Sequence, residues 1–273
     1  MDDYAGLRIE HSENGVTEVV LANAERLNAV DADGHRALTY VWNELDADQL
    51  TRVILLRAEG RAFSAGGDFS LLEAMMNDIE VHRRTLREAR DLVRNIIECS
   101  KPIVSVINGA AVGAGLAAAL LADIPLAGES ARILDGHTNL GVAAGDHAVM
   151  IWPLLVGMAR AKFYLLTNEP LNGADAERIG LVAKVFPDET LLTETRAICE
   201  RLASGSAEAL SLTKHTLNHW LRMAYPAFDA SVAYEFLGFL APDAREGLTA
   251  LREKRRPSFE RASENEDQHP GKQ

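Results

Sequence analysis

The chain repeats one local pattern: a short apolar run, a glycine-rich turn, then a helical stretch. The first copy runs from Val53-Ile54-Leu55-Leu56 into Phe63-Ser64-Ala65-Gly66-Gly67-Asp68. The second runs from Ile103-Val104-Ser105-Val106 into Ile107-Asn108-Gly109-Ala110-Ala111-Val112-Gly113-Ala114-Gly115-Leu116. Small residues at a strand-to-helix turn let backbone N–H groups approach a ligand closely. Two such groups aimed at one oxygen form an oxyanion hole. The recurrent strand–strand–helix order predicts an α/β fold wound as a stacked spiral rather than a doubly wound sheet. The glycines do not form a dinucleotide fingerprint, which needs one strand–turn–helix unit with a later acid.

Around these turns the pattern extends in both directions. Leu7 to His11 and Val16 to Leu21 read as strands about the turn Glu13-Asn14-Gly15. Asp31 or Asp33 suits the N-cap of a helix through Leu45, with Leu38, Val41, Trp42 and Leu45 on one face. Ser70 to Ser100 reads as one long charged helix, ended by Lys101-Pro102. Gly113 to Leu121 is a small-residue helix, and Ile124 to Ala127 and Arg132 to Leu134 are short strands. Asp146 suits the cap of a helix through Leu155, interrupted at Pro153. Asn172 caps Ala174 to Ile179, with Gly180 as the stop. Leu181 to Phe186 reads as a last strand, and Asp188 to Arg256 as nearly all helix.

Composition narrows the function. The formal net charge of −12 lacks the basic footprint of a nucleic-acid binder. No apolar run is long enough to span a membrane. The acidic start Met1-Asp2-Asp3-Tyr4 has no signal-peptide pattern. Cys99 and Cys199 show no metal-ligand spacing and read as reduced thiols. Together these suggest a cytoplasmic protein.

The two turns, with Ala24-Glu25-Arg26-Leu27-Asn28-Ala29, Ala122-Asp123-Ile124-Pro125-Leu126-Ala127 and Glu253-Lys254-Arg255-Arg256-Pro257, resemble the crotonase (enoyl-CoA hydratase/isomerase) superfamily. The resemblance runs from about Leu7 to Phe259. It implies a crotonase-like spiral of ββα units over residues 1–205, carrying an acyl-CoA site. Residues 206–260 would form a helical trimerisation region, giving a homotrimer or a dimer of trimers. The face of Tyr225, Phe228, Val232, Phe236, Leu237 and Leu240 fits that role, or an ordinary core. Residues 261–273 are polar and read as a disordered tail.

The resemblance also implies site residues. Gly67 and Ala114 would hold a thioester oxygen through their N–H groups and stabilise an enolate. Asp68 would brace its loop. Arg26, Leu27, Ala29 and Ala65 would line the CoA site, and Lys254 would reach its phosphates. Leu140, Trp152 and the Leu71 to Met76 stretch would form the acyl pocket. CoA is then part of the substrate, and no separate cofactor is expected.

One departure stands out. The two glutamates that handle water in hydratases of this family fall on Ala117 and His137 here. Alanine exchanges no proton, so the two-glutamate mechanism does not transfer. Histidine titrates near neutrality and suits general acid/base work. The expectation is that His137 acts as acid/base, with Asp146 as orienter or second acid. Asp135, two residues away, either faces the same side or serves only its turn. His147 reads as a helix surface residue. No metal is expected, although His137, Asp146 and His147 are able to converge. Hydration by a histidine variant, isomerisation and C–C hydrolysis all stay open. So do a non-catalytic acyl-CoA binder and a hydrolase acting on a diketone without CoA.

Overall fold

The computed structural model describes residues 5–259. The tail expected from 261 lies outside the described residues. Strands β1 (Leu7–His11), β2 (Val16–Leu21), β3 (Val53–Ala58), β5 (Ile103–Ile107), β7 (Ile124–Gly128) and β10 (Lys184–Phe186) form one sheet in the order β1-β2-β3-β5-β7-β10. Strands β4 (Ala62–Ala65), β6 (Ala110–Val112), β8 (Arg132–Ile133) and β9 (Leu171–Asn172) form the second, in that order. Among the described residues only β1–β2 and β8–β9 pair antiparallel.

Successive repeats thus place their first strand in one sheet and their second in the other. β3 leads to β4, β5 to β6 and β7 to β8. This is the expected α/β spiral. Its central strands carry continuous apolar runs because both faces are covered. One face packs against the helices of the main core, including Trp42, Ile96 and Leu116. The other packs under a second core of Val53, Leu55, Val104, Val106, Phe186 and Cys199.

Helices fill the turns of the spiral. They are α1 (Ala32–Ala47), α2 (Phe69–Asn77), α3 (Ile79–Glu98), α4 (Gly113–Leu121) and α5 (His137–Leu140). The stretch read as one helix after Ser70 is two. Asp78 breaks it, accepting from the N–H groups of Glu80 and Val81 as the cap of α3. Asp31, not Asp33, caps α1. The last strand is shorter than expected, because Leu181 and Val182 are core residues of a turn after Gly180.

The remaining helices are α6 (Ala148–Val156), α7 (Met158–Thr167), α8 (Gly173–Ile179), α9 (Leu191–Ala203), α10 (Ala207–Leu217), α11 (His219–Met223), α12 (Tyr225–Phe239) and α13 (Pro242–Arg252). α12 is divided in its loyalties. Phe228, Val232 and Phe236 belong to the chain's own core, whereas Leu237 and the following Leu240 are exposed. No helix among the described residues is long and apolar enough to cross a membrane.

Candidate active site

The two glycine turns meet. Gly113 has φ +61°, and a Cβ placed on it would lie 2.9 Å from the Gly66 Cα and 3.5 Å from the Gly67 nitrogen. Glycine is therefore required here both by conformation and by the approach of the first turn. Gly66, Gly67, Gly113 and Ala114 all line one cavity of about 840 Å³. Ala114 stands in the first turn of α4, where N–H groups have no intrahelical acceptor. Among the described residues the Gly67 N–H has no hydrogen-bond partner either, while its neighbours do: Gly66 N–H bonds Ser64 Oγ and Asp68 N–H bonds the Val30 carbonyl.

Asp68 sits at the start of α2, where its carboxylate accepts from the N–H and hydroxyl of Ser70. It also pairs with Arg26 at 2.8 Å. Arg26 thereby ties the first loop to the first turn. Ala65 N–H bonds the Leu27 carbonyl at 2.9 Å, joining the same two segments. Ala65 lines the cavity; Arg26, Leu27 and Ala29 do not. Leu140 and Met75 line it, whereas Met76 and Trp152 are core residues away from it. Lys254 is exposed beyond α13, with φ +55°, and its neighbours Arg255 and Arg256 line the cavity.

His137 lies in the same cavity, at the first position of α5, with Gly136 (φ +85°) turning the chain into it. The ring is buried and surrounded by carboxylates. Nδ1 is 3.0 Å from Asp135 Oδ1, while Nε2 is 3.7 Å from Asp146 Oδ2 and 3.5 Å from Glu235 Oε1. Asp135 also accepts from the His137 N–H at 3.3 Å, so one oxygen fixes both backbone and ring. Asp146 is not a helix cap. Its Oδ1 accepts from the His147 N–H at 2.7 Å and meets His147 Nδ1 at 2.6 Å. His147, expected on the surface, is buried, because α6 starts after it and the ring is drawn inward to Asp146.

Electrostatics follow from this crowding. Burial opposes charge on His137, but Asp135, Asp146 and Glu235 outweigh it and hold its pKa well above the usual histidine value. Burial also opposes charge on Asp146, and there His147 and His137 win, keeping its carboxyl well below the usual range. On Glu235 burial wins. Its carboxyl is pushed up, with His137 pulling against burial and Asp146 and Asp135 adding to it. One oxygen each of Asp135 and Glu235 is buried with no hydrogen-bond partner.

Glu235 escaped the sequence reading because it comes from α12, far along the chain. A signal was present. A carboxylate seven residues after Phe228 and beside Phe236 sits on the buried face of an apolar helix, where unpaired charge is rarely tolerated. Gly145 makes the contact possible. A Cβ there would lie 2.4 Å from Glu235 Cβ and 2.5 Å from the Ser231 carbonyl. Ala117, the other position that the family resemblance matches to a glutamate, is buried in α4 and does not line the cavity. Asp135, His137 and Asp146 bring ligand atoms within 4.8 Å of one another, a spacing that would also suit a cation.

The arrangement therefore combines two N–H groups at touching turns with a buried cluster of titratable side chains around one cavity. Known proteins share its scaffold. The family model for enoyl-CoA hydratase/isomerase matches residues 11–262. The mitochondrial Δ(3,5)-Δ(2,4)-dienoyl-CoA isomerase of Dictyostelium discoideum is 30% identical, over 94% of this chain and 92% of its own. The crystal structure of an enoyl-CoA hydratase/isomerase from Mycobacterium paratuberculosis superposes with a TM-score of 0.85 at 30% identity, over 89% of this chain and 97% of that one. A β-diketone hydrolase from Anabaena, bound to (S)-3-oxocyclohexyl acetic acid, gives a TM-score of 0.80 at 28% identity, over 87% of this chain and 95% of that one. With a family model spanning nearly its whole length, the chain belongs to the enoyl-CoA hydratase/isomerase family.

Proposed function

We propose that this chain is an enzyme that binds an acyl-CoA thioester, holds its carbonyl oxygen between the N–H groups of Gly67 and Ala114, and moves a proton with His137. The observation that carries this reading is the placement of His137 in one cavity with both turns, ringed by three carboxylates within 3.7 Å. Negative charge that develops on the carbonyl oxygen is stabilised by about 3 kcal/mol for each well-placed donor. Asp135 holds Nδ1, so Nε2 is the working atom. A proton shared between Nε2 and Glu235 passes to or from the substrate or a water molecule. Asp146 supplies the negative charge that favours the imidazolium.

Arg256 places positive charge along the cavity, as the phosphates of CoA require in an acidic protein, beside Arg255, which is paired with Glu246 and Glu253. Arg26 and Lys254 serve the same ligand from further out. The compartment is the cytoplasm. The exposed Leu237 and Leu240 give the C-terminal helices a face for a homotrimer.

A second reading is favoured by the same histidine and by the likeness to the Anabaena hydrolase. Here His137 activates water, which adds to one carbonyl of a β-diketone. The C–C bond between the carbonyls breaks, its electrons form the enolate of the other ketone, and that enolate takes a proton. The two readings part on substrate. Crotonyl-CoA, a longer enoyl-CoA and a cyclic β-diketone should each be followed spectrophotometrically with wild type and His137→Ala. The thioester reading predicts loss of enoyl absorbance, falling about 10²- to 10⁴-fold in the variant. Turnover of the diketone alone would replace it with the second reading. CoA binding with no turnover of any substrate would leave a binder.

A further inference from the structure

Asp146 faces His137 without being held by it. Its Oδ2 is 3.7 Å from His137 Nε2, a charge contact too long for a hydrogen bond, and no donor among the described residues bonds that oxygen. The hold comes from the other side. Oδ1 accepts from the backbone N–H of His147 at 2.7 Å and meets its Nδ1 at 2.6 Å. A carboxylate only accepts, so Nδ1 carries the proton in this contact. His147 is itself a fixed point. Its carbonyl accepts from the N–H groups of Met150 and Ile151, which opens α6, and both of those side chains are buried. Before it, the Gly145 carbonyl accepts from Ser231 Oγ of α12 at 2.9 Å. The backbone on both sides of Asp146 is thereby anchored, and the ring of His147 anchors its side chain.

The ring's other nitrogen argues that it is there for Asp146. Nε2 of His147 is buried with no hydrogen-bond partner, and the residue does not line the cavity. An unpartnered buried polar atom costs stability, so an apolar side chain would fill this place better. What a histidine adds here is the Nδ1–H. We infer that His147 is a positioning residue: by holding Oδ1 it keeps the Asp146 carboxylate in the rotamer that points Oδ2 at His137. The other staggered χ1 wells of Asp146 would carry its charge away from the reacting ring. This rests on the proposed function in taking His137 as the group that moves a proton.

Asparagine and leucine are close in shape, and only asparagine places an N–H donor where Nδ1 stands. His147→Asn and His147→Leu therefore lose the same ring contacts and differ in the one bond. Deuterium uptake from D₂O at the carbon next to the thioester of butyryl-CoA, followed over a range of concentrations, reads kcat and KM separately. His147→Leu should lower kcat about tenfold relative to His147→Asn, the scale of a small misplacement. KM should agree within about twofold, since His147 does not line the cavity. In an Asp146→Asn background the two variants should agree in kcat within about twofold, because the effect passes through the carboxylate. Equal kcat in the two variants, or a gap that persists undiminished with Asp146→Asn, would overturn the inference. His147→Phe fills the volume of the ring and takes the place of His147→Leu if that variant does not fold. Crystal structures of the two variants decide the matter without any activity. An Asp146 carboxylate turned from His137 in His147→Leu alone is the expected result, and a carboxylate unmoved in both contradicts it. Absence of exchange by wild type would overturn the reading of His137, and the crystal structures would still decide for or against His147.

Discussion

Tied to Asp135 through Nδ1, the His137 ring turns Nε2 toward Asp146 and Glu235, and in the proposed mechanism these surroundings set the pH at which that atom works. The ring's pKa is raised because three carboxylates outweigh its burial. A base must be deprotonated to act, so with His137 as the base the ascending limb of kcat/KM should lie above the usual histidine range. Asp146→Asn removes one of the three charges while keeping the shape. The limb should then move to lower pH, and a pH–rate profile of both proteins reads the shift. A limb that stays, or moves upward, contradicts the assignment. At this scale the sequence was informative about which turns meet. Gly67, Ala114 and His137 were named through the family resemblance, and all three line one cavity. Glu235 was not, because it joins elements distant in sequence, and local pattern carries no record of such contacts.

Elements are placed by close backbone approaches, and Gly145 is the one on which the cluster depends. A methyl group at this position meets Glu235 Cβ at 2.4 Å and the Ser231 carbonyl at 2.5 Å. The loop or α12 has to move, and with it the spacing of Asp146 and Glu235 about His137. Gly145→Ala should cost about 1–3 kcal/mol of stability, as overpacking does, and lower kcat/KM further than that loss explains. Urea denaturation and kinetics on the same samples separate the two effects. Unchanged stability and unchanged kcat/KM would show that the loop is not held by this contact. The central strands were legible because two-sided burial leaves a continuous apolar run, as in Ile103–Ile107. The break at Asp78 was not, since a capping aspartate inside a charged amphipathic stretch looks like one more surface residue. The split of each repeat between two sheets depends on pairing, which single runs do not reveal.

For the whole molecule, the spiral sets the site at the junction of its turns and closes it with its own C-terminal helices. Strand pairs β3–β4, β5–β6 and β7–β8 deliver the first turn, the second turn and His137 in succession to one cavity. α12 then returns to supply Glu235, and the segment after α13 adds Arg255 and Arg256. The fold was readable because its repeat is local; the completed site was not, because its last acid arrives only when the chain folds back on itself. The central claim is that His137 moves a proton next to a carbonyl held by Gly67 and Ala114. It is tested most directly by incubating the protein with butyryl-CoA in D₂O and following deuterium at the carbon next to the thioester by mass spectrometry. Exchange by wild type that falls to background in His137→Ala is the expected result. Exchange at an unchanged rate in His137→Ala, or none in wild type, would contradict it.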